Sequence, residues 1–171
     1  MLPKKVEAAF NEQIRDELQS AYLYLAMAAD CEKQSLPGCA AWLRTQWEEE
    51  IAHAMRFYNF IIGRDGTVQL KAIEAPSLSF GSPLAVFEKA LENERQVTAS
   101  INGLYALVQK EGDFASQPLL DWFVTEQVEE EATVGQIVDD LRRVGDQGEG
   151  LFLLDKELGR RGSSGAGASS S

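Results

Sequence analysis

Apolar residues recur at helical spacing along four long segments of the chain. The first runs from about Lys4 to Gln34 and places Val6, Phe10, Ile14, Ala21, Tyr24 and Ala28 on one face. The second, from about Cys39 to Ile62, aligns Ala40, Leu43, Trp47, Ala54, Phe57 and Ile61. The third opens at Ser82-Pro83 and carries Phe87, Leu91, Val97, Ile101, Leu104 and Val108 before Gly112. The fourth, from about Ser116 to Val144, carries Leu120, Phe123, Val134, Ile137 and Leu141. Residues three or four apart share a helix face, so each segment predicts an amphipathic helix. A short apolar helix, Glu149 to Leu158, follows the break at Gly145-Asp146-Gln147-Gly148.

The punctuation between these segments predicts how they connect. Ser35-Leu36-Pro37-Gly38 is a tight break, and Gly112 followed by Pro118 is another, so each pair reads as an antiparallel hairpin. Between the pairs, Arg64 to about Gly81 has no helical period and contains Pro76. Helices of this length span roughly 40 Å at 1.5 Å per residue. A connection of about 18 residues reaches roughly 60 Å when extended, enough to return along the bundle. The fold class is therefore all-α: a four-helix bundle, up-down-down-up, with a long crossover and a short fifth C-terminal helix. Residues 1–158 form the domain. Residues 159–171, GRRGSSGAGASSS, hold no apolar side chain larger than Ala and are expected to be a flexible tail.

Every long stripe is interrupted near its middle by a polar residue. Glu17 sits three after Ile14 and four before Ala21. Glu50 sits three after Trp47 and four before Ala54, with His53 three further on. Glu94 falls between Leu91 and Val97, and Gln127 and Glu130 fall between Phe123 and Val134. These groups should therefore face the core. Glu17 to Glu50 is 33 residues, as is Glu94 to Gln127, and the whole set repeats at an offset of 77: 17 to 94, 50 to 127, 53 to 130. Two hairpins related by a pseudo-twofold axis would bring both sets to one level. Several unpaired carboxylates do not stay ionised in an apolar core. No Lys or Arg occupies these positions, so a metal is the economical partner. Carboxylates with one imidazole suit iron, manganese or zinc. Glu17 and His53 would hold one ion, Glu94 and Glu130 the other, with Glu50 bridging.

Composition narrows the choices. The 171 residues include 16 Lys and Arg against 27 Asp and Glu, a net charge of −11, which excludes a basic nucleic-acid footprint. The chain has one histidine, so sites needing two or three imidazoles are excluded. Cys31 and Cys39 form neither a C-x-x-C motif nor a thiolate cluster and read as free thiols in a reducing compartment. The amino terminus lacks the apolar run of a secretory signal, and no window has the roughly 18 apolar residues of a membrane span. A cytoplasmic protein without a membrane partner is expected.

The segments NEQIRDELQSAYLYLAMA, WEEEIAHAMRFYNFI, LENERQV, TEQVEEE and GEGLFLLDKEL resemble the ferritins, specifically the non-haem bacterial type, from Met1 to about Leu158. The resemblance implies a ferroxidase that binds two Fe(II), oxidises them with O2 or H2O2, and stores ferric mineral in a 24-subunit shell. It assigns Glu17, Glu50 and His53 to the first iron site. Glu50, Glu94 and Glu130 match the second, with Gln127 beside it. Glu49, Glu126, Glu129 and Glu130 match a third iron site. Tyr24 corresponds to a tyrosine that lies by the iron site and can supply an electron. Helical spacing sets Trp122, four before Glu126, near the third site, where aromatic packing is its expected role. Ala52 stands where haem-binding relatives carry a methionine, so no haem is expected. Gln117 and Leu120 replace acids that line an iron channel in animal shells, leaving Asp121 nearby. The fifth helix, with Leu151, Phe152, Leu153 and Leu154 in a row, exposes more apolar surface than one subunit covers and fits a fourfold contact. The rival readings are a di-iron peroxidase or oxygenase on the same bundle and a metal-buffering bundle without redox turnover.

Overall fold

The computed structural model describes residues 1–165. Among them are five α-helices and one short 3-10 turn, without a strand. Helix α1 spans Lys4–Lys33, α2 Pro37–Gly63, α3 Pro83–Glu111, α4 Gln117–Val144 and α5 Glu149–Gly165. No helix is long and apolar enough to cross a membrane, among the described residues.

The ends of these helices follow local chemistry. Pro37 and Pro83 occupy first-turn positions, where a missing N–H costs nothing. The Ser82 hydroxyl accepts from Ala85 N–H at 3.2 Å and caps α3. Gly112 adopts φ +67° and lets Asp113 N–H reach the Val108 carbonyl at 3.0 Å, a left-handed stop. Pro37 thus begins α2 rather than lying in the break before it.

Helix α1 packs against α2 and α3, and α4 against α3. Helices α2 and α4 stand further apart and meet through side chains, with Phe57 and Phe123 stacked at 4.5 Å between ring centroids. The bundle is therefore a ring in the order α1, α2, α4, α3. The crossover runs beside α1 in the direction of α1. Asn11 accepts from Gln69 N–H and donates to the Thr67 carbonyl. Gln19 makes the same pair of bonds to Glu74, and Asp30 accepts from Phe80 N–H at 2.8 Å. This path returns the chain to the start of α2 and gives the expected up-down-down-up order.

The core is divided. Phe10, Ile14, Phe57, Ile101, Leu120 and Phe123 belong to one apolar cluster. Met27, Leu43, Phe87, Val134, Ile137 and Leu141 belong to a second. A layer of buried polar side chains lies between them. Trp47 and Leu91, expected in the stripes, are only partly buried and flank the second cluster, where Trp42 is buried instead.

Helix α5 packs across α2 and α4 with Leu151 and Leu158 buried, while Phe152 and Leu153 remain 56% and 57% exposed. It continues past the expected end at Leu158, so the backbone up to Gly165 is helical where the tail was expected to begin. Residues 166–171 of that tail lie outside the described residues. The first residue past that end is still packed: a Cβ on Gly159 would lie 3.2 Å from the Gly38 Cα. The buried Asp155 carboxylate accepts from Cys39 N–H at 2.8 Å and caps α2 from another helix.

The close approach at Gly38 generates a prediction. A Cβ there would meet the Asp155 carbonyl oxygen at 1.7 Å, so α5 or the start of α2 must move. Gly38→Ala is expected to destabilise the protein by about 1–3 kcal/mol in denaturant unfolding, as overpacking does. Unchanged stability would show that α5 is not seated on Gly38.

Candidate metal centre

Each long helix delivers a polar side chain to the layer between the two apolar clusters. Glu17 comes from α1, Glu50 and His53 from α2, Glu94 from α3, and Gln127 and Glu130 from α4; all six are buried. The spacing of the stripes explains this, because each lies one helical turn from apolar neighbours that enter the core. No Lys or Arg pairs with Glu17, Glu50, Glu94 or Glu130 among the described residues.

Two groups of converging donors form within this layer. Ligand atoms of Glu17, Glu50 and His53 lie within 4.8 Å of one another. Oε2 of Glu17, Oε2 of Glu50 and Nδ1 of His53 are buried without a hydrogen-bond partner. Such atoms are costly in a low-dielectric core unless something satisfies them. The donor set fits a cation that takes carboxylate oxygen and imidazole nitrogen together. His53, Glu126 and Glu130 form the second group, so the imidazole belongs to both. Glu94 is in neither: it accepts from the Tyr24 hydroxyl and from Gln127 Nε2 at 3.3 Å. Gln127 also donates to the Glu94 carbonyl at 3.2 Å and to Thr98 at 3.3 Å.

The outer acids are unequal. Glu49 and Glu126 are half-buried, and Glu49 accepts from Gln46. Glu129 is exposed and lies outside both groups. The ring of His53 packs edge-on against Trp122 and Phe123 at 5.5 and 5.6 Å, an apolar wall on α4 behind the imidazole. Arg56 covers the other face of this wall, 3.7 Å from the Trp122 centroid. Leu120 is fully buried in the core, and Asp121 accepts from the Tyr105 hydroxyl at 2.8 Å.

Burial pushes the carboxyl groups upward. Desolvation, then the neighbouring Glu50 charge, raises Glu17 well above the usual carboxylate range. Desolvation, then Glu94, does the same to Glu50. Glu94 is raised by burial against the opposing effect of Tyr24 and Gln127, which favour its ionised form. Glu130 is pushed up to about 9 by burial, with the charges of Glu94, Glu49, Glu126 and Glu129 adding to it. Burial thus favours the protonated form of each, and a bound cation would displace such protons.

Two supporting residues escaped the sequence reading. Gln13, buried in α1, donates to Glu17 Oε1 at 2.9 Å. Ser100 of α3 donates to Gln13 Oε1 at 2.6 Å and fixes which end of the amide faces the carboxylate. The available signal was the spacing of Gln13, four before Glu17 on the same face.

Comparison with known proteins places this geometry in a family. The profile of the ferritin-like domain matches residues 7–144. The chain is similar to a bacterial non-heme ferritin of Bacteroides fragilis (strain 638R), 40% identical over 161 residues, covering 94% of this chain and 100% of the relative. It is 38% identical to a bacterial non-heme ferritin of Staphylococcus aureus (strain MRSA252), over 94% of this chain and 97% of that protein. Among solved structures it resembles an open pore ferritin from the hyperthermophilic archaeon Archaeoglobus fulgidus. The TM-score there is 0.91 at 44% identity, covering 93% of this chain and 98% of that one.

The raised carboxyl groups set a pH dependence. A carboxyl whose folded pKa is raised adds stability that is present below its unfolded value and is lost as pH rises through the folded value. Glu130 carries that loss up to about 9. The thermal midpoint of the metal-free protein is therefore expected to fall between about pH 5 and about pH 9. Glu130→Gln should flatten the slope, and a midpoint that climbs across this range would contradict the assignment.

Proposed function

The chain belongs to the ferritin family, and on that premise we propose that it stores iron, oxidising Fe(II) to Fe(III) at the buried centre. The observation that carries this reading is the trio of buried ligand atoms on Glu17, Glu50 and His53 that make no hydrogen bond. Iron is the substrate. Glu17 and His53 hold one Fe(II), Glu94 and Glu130 the other, and Glu50 bridges them. Hard oxygen donors favour Fe(III) over Fe(II), so the site lowers the cost of giving up an electron. With O2 as oxidant, two Fe(II) supply two electrons and two protons complete hydrogen peroxide. With H2O2, the same two electrons and two protons yield two waters.

The surrounding residues have separate tasks. Gln13 and Gln127 hold Glu17 and Glu94 in place by donating to them. Tyr24, fully buried and donating to Glu94, is positioned to supply a further electron with its proton passing to that carboxylate. Glu49, Glu126 and Glu129 with Glu130 form a third iron site on the α2–α4 side, through which ferric product leaves. Haem has no part in this scheme. The exposed Phe152 and Leu153 on α5 support burial between subunits, in the 24-subunit shell that holds the mineral. We place the protein in the cytoplasm, where its two buried cysteines remain thiols.

Aerobic Fe(II) addition tests the reading. Ferric absorbance should rise rapidly, and the assembly should elute as a large particle retaining far more iron than its sites bind. Retention of only two or three irons per subunit would refute storage. His53→Ala and Glu50→Ala are each expected to slow the fast phase by roughly 100-fold or more, since each removes a ligand. Tyr24→Phe should act more mildly, and Glu129→Ala should alter chiefly the later phase. Unchanged rates in the His53 and Glu50 variants would place the chemistry elsewhere.

A further inference from the structure

The centre has two sides of opposite electrostatic character. In the ring of helices, the α1–α3 seam lies opposite the α2–α4 seam. The α2–α4 side bears Glu49, Glu126 and Glu129, a field that draws cations. On the α1–α3 side a groove of about 190 Å³ opens at the level of the centre. Asp16, Ser20, Asn93, Gln96 and Ser100 line it, with Val97 at its floor. Its one charged wall residue, Asp16, is paired with Arg15 at 2.5 Å, so the groove is polar but close to neutral.

The groove walls connect to the centre on both helices. Ser100 donates to Gln13, and Gln13 donates to Glu17. Asp16 and Asn93 each precede a centre carboxylate in sequence. The Asn93 Nδ2 atom is buried without a well-formed hydrogen bond, and this side chain favours the ionised form of Glu94. The seam between the walls is closed by the Ser20 hydroxyl donating to Asn93 Oδ1 at 3.2 Å, which is long for a hydroxyl donor. A small molecule that both donates and accepts can replace that bond. A hydrated cation gains less from these neutral amides and hydroxyls and an Arg-paired Asp16 than from the three acids of the other side.

We propose that the α1–α3 groove is the port by which hydrogen peroxide reaches the centre, while Fe(II) enters from the acidic α2–α4 side. This rests on the ferroxidase reading for its chemistry: each of two Fe(II) gives one electron, the O–O bond breaks, and two protons complete two waters. Ser20 and Asn93 form the gate, and Gln96 forms the exposed rim.

Filling the groove tests this. Ser20→Leu, and Gln96→Leu as a surface variant that folds readily, are assayed anaerobically with limiting peroxide. The second-order constant for peroxide is expected to drop by about tenfold in Ser20→Leu and less in Gln96→Leu. Co(II) loading, followed by its visible absorption without any turnover, should keep its wild-type rate. Peroxide kinetics equal to wild type in both variants, or slowed Co(II) loading with unchanged peroxide kinetics, would overturn the port. A crystal structure of the wild-type protein gives a readout independent of catalysis. Ordered waters should run from Ser20 and Asn93 to Glu94, and a dry groove would overturn the proposal. Wild-type protein that oxidises no Fe(II) would refute the ferroxidase reading, with the water path still deciding the port.

Discussion

The structure is organised around the cost of holding ionisable oxygens in a core that contains no cationic side chain. Burial, more than any neighbouring charge, raises Glu17, Glu50, Glu94 and Glu130. Such a layer is tolerable only when protons, hydrogen-bond donors or a cation satisfy it. The bundle meets part of that cost with donors, Gln13 and Tyr24 on α1 and Gln127 on α4, each addressing a carboxylate. It leaves Glu17, Glu50 and His53 with unpaired atoms at the centre. That split leaves two oxygens and one nitrogen able to accept a cation. It also explains why the apolar core is two clusters rather than one.

The internal repeat makes the division of labour visible. The 77-residue offset carries Glu17 onto Glu94 and Glu50 onto Gln127, so the frame is shared by both hairpins. The exceptions carry the chemistry. His53 corresponds to Glu130, Tyr24 to Ile101, and Gln13 to Ala90. One half of the bundle thus supplies the imidazole and the phenol, and the other supplies additional carboxylate. A repeated scaffold thus carries two unlike sets of buried polar side chains, because side-chain type changes at these positions while helix register does not.

Much of this was legible in the residues. The stripes located the four helices because their period is long and sustained, and Ser82, Pro83 and Gly112 act at their ends as local chemistry dictates. The interrupting polar residues located the buried layer, since a charge on an apolar face needs a reason. The sequence reading placed Glu126 with Glu49, Glu129 and Glu130; the structure converges it with His53 and Glu130 and leaves Glu129 exposed. Helix phase alone distinguishes a residue facing the core from its neighbour by about 100°, too little to rank acids on one rim. Gln13 and Ser100 were missed because an amide and a hydroxyl carry no charge to mark them. The extent of α5 was missed because a Gly- and Ser-rich composition does not mark a helix, and the packing of Gly159 against Gly38 is not encoded in it.

The crossover bears on the centre in another way. Asn11, Gln19 and Asp30 grip its backbone at intervals along α1, so one long loop becomes several short spans. Those residues share a helix with Glu17. A slip of α1 by one turn, about 5.4 Å, would carry Glu17 out of the polar layer. The same slip would break the bonds to Gln69, Glu74 and Phe80. The crossover therefore acts as a ratchet pawl on α1: a segment that adds nothing to the polar layer fixes the height at which Glu17 stands in it.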